Sequence, residues 1–221
     1  LMEHMRSKRS KRQMSKLAVI IPDLEKRDLK RYHRFEKLVS GIEGQCLASG
    51  YGPDYFYLKD MQVSARRLKS IIVSRGIRVI ILLPYLNGVG TINLDLNGLC
   101  VSSSGYSIIE PNVNRACPNY LQMMDELLEQ ALALGYRRIG FIMAYKSGGT
   151  GHKLFASSYF FYSSQLSEKE RIPILARREI SEPNIRRWME THQPEAVISS
   201  GEIYKTIQKI GYSAPSDIGF A

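Results

Sequence analysis

Between positions 121 and 143 the chain reads LQMMDELLEQALALGYRRIGFIM, and it changes hydrophobic period part-way along. Leu121, Met124, Leu127, Leu128, Ala131 and Leu134 recur at spacings of three and four, which puts them on one face of a helix with acidic residues on the other. Gly135 suits a left-handed cap. Tyr136, Arg137 and Arg138 bridge a turn, and Ile139, Phe141 and Ile142 open an apolar run of strand length. A helix that feeds a buried strand through one glycine is one arm of a parallel winding, so it constrains the sheet on both sides of it.

The rest of the chain repeats that alternation. LAVIIPD at 17–23 reads as a buried strand stopped by Pro22, and the polar run EKRDLKRY follows it. A helix is expected over 33–49, a short strand at 55–58 after the turn GPD, a helix over 61–75 and a strand at 79–83 ended by Pro84. The stretch 84–96 is too rich in Gly and Asn for a helix. A strand is expected at 99–102 with Ser102, Ser103 and Ser104 at its carboxyl end, and Ile108 and Ile109 suit a short edge strand. After the central element come the glycine-rich loop KSGGTGHK, an aromatic helix over 154–165, a strand at 172–176, a helix over 184–191, a strand at 196–199, a helix over 203–210 and the start of a strand at 218–221. The fold class is therefore α/β with two doubly wound parallel-sheet lobes, each of about a hundred residues. The expected organisation is a basic linker over 1–16, an N-terminal lobe over 17–113 and a C-terminal lobe over 114–221.

The net charge of +10 is unevenly placed. Arg6, Lys8, Arg9, Lys11, Arg12 and Lys16 stand against Glu3 alone, so half of the excess lies in the first sixteen positions. Such a segment suits a polyanion partner or a solvated tail. No apolar run is long enough for a membrane span, and no hydrophobic segment of a signal peptide follows the charged start, so a cytoplasmic protein without a membrane partner is expected. Leu1 stands where an initiator methionine would, and the sequence reads as a piece of a longer chain.

Chemistry-bearing patterns are few. Cys46, Cys100 and Cys117 have no CxxC spacing and read as packed thiols. His4, His33, His152 and His192 are scattered, so no metal site is expected. KSGGTGHK has the lysine and glycines of a phosphate loop but fails its spacing, and Leu154 replaces the hydroxyl that would hold magnesium. GxSxG is absent. The residues indicate no catalytic group, no cofactor and no enzyme.

Taken together, LALGYRRIGFI at 132–142, the opening LAVIIPD, the strand VIILLP, QPEAVIS at 193–199 and the closing GYSAPSDIGFA resemble the effector-binding core of the lac repressor and gal repressor family of transcriptional regulators. The resemblance implies a periplasmic-binding-protein-like fold of type I and a cleft between lobes, at the carboxyl ends of the strands, that binds a small effector such as a sugar or related metabolite. It places candidate ligand contacts at Asp23, Tyr85, Asn87, Ser102 and Ser104 in the first lobe, and at Lys153, Ser200 and Glu202 in the second. It also implies a homodimer whose hinge and linker, at Met5, Arg6, Lys8, Arg9, Lys11 and Arg12, lie close to operator DNA, with Met5 near the hinge position that wedges into the minor groove.

The sequence departs from the family at several places. No helix-turn-helix precedes Leu1, so the chain by itself is expected to bind DNA weakly or not at all. The segment that completes both lobes is not present after Ala221. His152 and Lys153 stand where an arginine usually opens the helix, and Ala221 stands where an acidic residue is expected. Two other readings share the pattern: a solute-binding protein of a transport system, and an α/β enzyme with an unrecognised site.

Overall fold

The computed structural model describes residues 14–86, 88–145 and 149–221. The linker positions Met5, Arg6, Lys8, Arg9, Lys11 and Arg12 lie outside these residues, as does Asn87. The chain divides into two compact units between Cys117 and Pro118.

The first unit runs β1 (Ser15–Ile21), a 3-10 turn (Lys26–Arg31), α1 (His33–Ala48), β2 (Tyr51–Tyr57), α2 (Leu58–Met61), α3 (Ala65–Ser74), β3 (Val79–Leu82), β4 (Gly90–Thr91), β5 (Cys100–Ser104), β6 (Ile108–Glu110) and β7 (Asn114–Ala116). Five strands form one parallel sheet in the order β2-β1-β3-β5-β7, and β4 pairs with β6 separately. The continuous apolar run of β1 follows from its place inside the sheet. Leu17, Val19 and Ile21 face Phe35, Val39 and Cys46 of α1, whereas Ala18 and Ile20 face Leu68 and Ile72 of α3. A strand covered on both faces cannot alternate apolar with polar.

The second unit runs α4 (Tyr120–Ala133), β8 (Ile139–Ala144), α5 (Thr150–Ser164), β9 (Leu175–Arg177), α6 (Glu182–His192), β10 (Ala196–Ile198), α7 (Gly201–Lys209) and β11 (Gly219–Phe220). Its parallel sheet has the order β11-β10-β8-β9. Counted within each unit, the first wound strand lies between the second and the third, and the fourth follows outward. The same winding is thus made twice.

The expected switch of period is present. Met124, Leu128 and Ala131 of α4 are buried, but Leu121 and Leu134, at the ends of the helix, are exposed. Gly135 takes φ +97, and the N–H groups of Gly135 and Tyr136 donate to Leu132 and Ala131 carbonyls at 3.0 and 3.2 Å. These bonds close the helix in the left-handed manner that only glycine adopts without strain. The strand that follows is covered on both faces: Ile139 and Phe141 pack with α4 and α5, and Ile142 packs with α6 and α7.

Several expectations are corrected. The strand predicted at 55–58 begins at Tyr51 and includes Gly52, Pro53 and Asp54, because β2 is an edge strand where a missing N–H costs no ladder bond. The helix predicted over 61–75 is two pieces, and Ser64 caps the second by accepting the Arg67 N–H at 3.2 Å. The strand placed at 172–176 is Leu175–Arg177. The lobe boundary lies at 117/118 rather than 113/114, since Asn114–Ala116 pairs with Ser102–Ser104 as the last strand of the first sheet. Ser15 and Lys16, assigned to the linker, already belong to β1.

Two contacts at β8 fix the second unit. A Cβ on Gly140 would collide with the indole of Trp188 and come within 3.2 Å of Ile172. Glu195, just before β10, accepts the N–H groups of Arg137 and Arg138 at 2.6 and 3.1 Å, which holds its carboxyl below the usual range. Gly140→Ala is expected to lower unfolding stability by about 1 to 3 kcal/mol in urea titration, through overpacking. Because the Glu195 pKa is depressed on folding, its contribution is present above the unfolded value of about 4.3 and is lost as pH falls through the folded value. The stability gap between the wild type and Glu195→Gln is therefore expected to be constant from pH 6 to 8 and to shrink in acid, as followed by urea titration at each pH.

Candidate functional site

In each unit the helices run back against the strands, so the helix N-termini and the strand-to-helix loops gather at the carboxyl end of the sheet. That end is where open α/β sheets take ligands. In the first unit it carries Asp23 after β1, Tyr85 after β3 and Ser104 at the last position of β5.

Asp23 follows β1 by two residues, and its carboxylate accepts the Leu86 N–H at 2.8 and 2.9 Å on its two oxygens. The bond ties the loop after β3 to the end of β1. Tyr85 is held from both sides. Its N–H donates to Ser107 Oγ at 2.8 Å and its hydroxyl to the Thr91 carbonyl at 2.9 Å. Its ring lies on Gly90, where a Cβ would approach to 2.5 Å. Burial, and then the Asp23 carboxylate, raise the Tyr85 pKa. The phenol is thus neutral at physiological pH, and its only proton is already donated.

The serines divide. β5 continues through Ser104, so Ser102 is mid-strand rather than beyond the carboxyl end, contrary to the expectation. Ser102 pairs with Ile81 and is exposed on the face that carries α1. Ser103, on the opposite face, is 2% exposed, and its Oγ has no hydrogen-bond partner among the described residues. Ser104 is half-buried at the end of the strand and remains the serine best placed at the carboxyl end.

In the second unit Lys153 is exposed in the first turn of α5, and Ser200 and Glu202 are exposed at the N-cap and first turn of α7. Both helices begin at the carboxyl end of the sheet. The neighbouring Ser199 hydroxyl donates to the Ile142 carbonyl at 2.7 Å, which ties β10 to β8 just below. Each unit therefore gathers its own candidates at one end of its own sheet, apart from Ser102 and the undescribed Asn87.

One feature was missed in sequence. Tyr120, the first residue of α4, packs its ring 5.1 Å from that of Phe155 and lies on Gly151, where a Cβ would come within 2.8 Å. With Phe141 at 6.4 Å from Phe155, these rings form an aromatic wall beside the first turn of α5. The signal was the pair Gly151 and Phe155 at helical spacing, which brings a small residue and a ring onto adjacent turns. Among the described residues, no three His, Cys, Asp or Glu side chains gather as a metal ion would need, and no helix is long and apolar enough to cross a membrane.

No protein-family model matches the sequence, and no curated protein matches it. Solved structures do match the fold. The chain is similar to a putative transcriptional regulator of the LacI family from Rhizobium etli, with TM-score 0.67 and 14% identity over 95% of this chain and 78% of that one. It is also similar to a transcription regulator-like protein from Staphylococcus haemolyticus, with TM-score 0.62 and 14% identity over 94% and 78% of the two chains. A third similar structure is the LacI-family regulator CcpA from Weissella paramesenteroides with bound glucose, at TM-score 0.58 and 13% identity over 93% and 78%. The fold is accordingly the periplasmic-binding-protein-like α/β fold found in LacI-family regulators.

Asp23→Ala removes a charge-assisted bond to a backbone N–H and is expected to cost roughly 1 to 2 kcal/mol. Hydrogen exchange at the Leu86 amide should accelerate in this variant while amides in β8 keep their protection; unchanged exchange at Leu86 would show that Asp23 does not hold the loop.

Proposed function

We propose that the chain is the effector-sensing and dimerising core of a DNA-binding transcriptional regulator, a repressor in the complete protein, and that it takes a small sugar-like effector on the carboxyl-end loops of its sheets. The observation that most supports this reading is the winding made twice, each time with polar side chains collected at the carboxyl end. The fold shared with regulators, one of them holding glucose, supports it further.

In this reading Lys153 is a point donor to a hydroxyl, Glu202 and Asp23 are acceptors, and Ser104, Ser200 and Asn87 supply single hydrogen bonds. Tyr85 acts mainly by shape, since its hydroxyl proton is committed to Thr91. Ser102 is the weakest candidate, because it lies mid-strand. The aromatic wall at Tyr120 and Phe155 offers a flat apolar surface to one face of a sugar ring.

Effector binding shifts the balance between two arrangements of a homodimer and so changes operator affinity, which is coupling between distinct sites. DNA is read by a helix-turn-helix outside this chain, while the basic linker with Arg6, Lys8, Arg9, Lys11 and Arg12 adds phosphate contacts, and Met5 lies near the minor groove. The complete protein acts in the cytoplasm, without a cofactor or catalytic step.

The test is a thermal-shift screen of the 221-residue chain with glucose, sucrose, cellobiose and a wider panel of mono- and disaccharides. A ligand at a hundred times its Kd stabilises the folded state by about 2.7 kcal/mol, enough for a shift of a few degrees. Lys153→Gln and Glu202→Gln are each expected to weaken the binding roughly ten- to a hundredfold, the worth of one hydrogen bond to a charged group. Absence of any sugar response, or a response unaltered in both variants, contradicts the proposal. Sugar binding that leaves dimerisation and the operator affinity of the complete protein unchanged would instead mark a solute-binding protein of a transport system.

A further inference from the structure

One flank of the second unit holds a groove of about 260 Å³ whose lining includes none of Lys153, Ser200 and Glu202. It lies between α6 and β9. β9 is the edge strand of its sheet, paired with β8 on one side only. From β9 come Leu175 and Arg177, and from one stripe of α6 come Arg187, Trp188, Thr191 and His192. Trp188 belongs, with Ile185 and Met189 beside it on α6, to the core shared with α7, so that it closes the floor of the groove. The groove thus runs along the side of the unit, where sheet and helix layer both end.

Its chemistry is one-sided. No carboxylate lines it. Two other arginines nearby are engaged: Arg186 pairs with Glu182 at 3.1 Å, and Arg138 donates to the carbonyls of Lys169, His192 and Gln193. Arg177 and Arg187 have no side-chain hydrogen bond or ion pair with any described residue. One comes from the strand and one from the helix, and both line the same groove. A charge that only protects a sheet edge needs no second charge from the helix layer.

The floor is closely packed. Trp188 is 7% exposed and locked in place by its indole N–H, which donates to the Pro173 carbonyl at 2.8 Å, and by its fit over Gly140. The His192 ring meets it edge-on at 5.9 Å between centroids. Partial burial, and then the Arg138 guanidinium, lower the His192 pKa, so at neutral pH the positive charge of the groove is that of the two arginines.

We infer that this groove is an anion site for the phosphate group of a small phosphomonoester, in which Arg177 and Arg187 clamp the phosphate over a closely packed floor that includes Trp188. Guanidinium groups bind phosphate oxygens through paired, charge-assisted hydrogen bonds, and two guanidiniums suit a dianion. The Thr191 hydroxyl is a further donor. The site shares none of the proposed effector contacts and stands whether or not that reading does.

Trp188 is the only tryptophan in the sequence, so the emission of the protein reports this groove directly. The probes are phenyl phosphate and inorganic phosphate, with phenol as the uncharged control and potassium chloride to match ionic strength. Calorimetry is run beside fluorescence so that binding without an optical change is seen. Phenyl phosphate is expected to bind saturably in the low millimolar range, inorganic phosphate to compete with it, and phenol not to bind. The double variant Arg177→Gln/Arg187→Gln, in which both side chains are exposed and make no structural bond, should keep the wild-type Tm and weaken phenyl phosphate about tenfold or more, the loss of two charge-assisted contacts. Lys153→Gln/Glu202→Gln should bind it as the wild type does. The inference is overturned if neither method detects phenyl phosphate, if the signal equals that of potassium chloride, or if binding survives in the arginine variant. It is equally overturned if binding is lost in the Lys153/Glu202 variant instead, which would place the anion at the carboxyl-end site.

Discussion

The rest of the structure depends on one requirement: an interior strand of a parallel sheet must be covered on both faces. Val19 and Ile20 in β1, and Phe141 and Ile142 in β8, point in opposite directions, yet all four are 5% exposed or less. Meeting that requirement takes a helix on each side of the sheet for every few strands, and a helix that returns the chain to the start of the next parallel strand has its N-terminus at the carboxyl end. The polar loops are left with one place to go. The position of the candidate site is therefore a consequence of burying β1 and β8, and no residue of the site had to be chosen to bring it there.

The same requirement explains what surrounds each candidate. A loop that leaves a fully buried strand needs partners for its own backbone, and Asp23 supplies one to Leu86 while Ser199 returns one to Ile142. Those side chains support the end of the sheet as much as they offer themselves to a ligand. Lys153, Ser200 and Glu202 are exposed in the first turns of helices already anchored by buried neighbours, so they have greater freedom to meet an effector. At the edges, where covering stops, the chain is freer to carry other functions. The groove at Arg177 and Arg187 lies on such an edge.

How much of this was legible in the sequence follows the same logic. Where burial was complete the pattern was plain: VIILL and LAVII are apolar because nothing else fits between two layers, and the period switch at Gly135 located α4 and β8 to within a residue or two. Where burial is partial the signal fades. Asn114–Ala116 carries no apolar signal because an outermost strand is held by its ladder to β5, and that displaced the lobe boundary. Pro53 in β2 misled for a related reason, as an edge strand tolerates it. The site was legible as a location but less so as chemistry. That Tyr85 spends its hydroxyl on Thr91, or that Tyr120 lies over Gly151, depends on contacts between segments that carry no periodic signal.

The measurement that tests the account most directly is an amide chemical-shift map of the isotopically labelled chain, titrated with a sugar from the screen that binds. The account predicts shifts concentrated after the carboxyl ends of the strands, at residues such as Asp23, Leu86, Ser104, Lys153, Ser200 and Glu202, with the amino ends at Ser15 and Arg138 unchanged. Shifts gathered at the amino ends, or along the flank at Arg177 and Arg187 with none at the carboxyl-end loops, would contradict it.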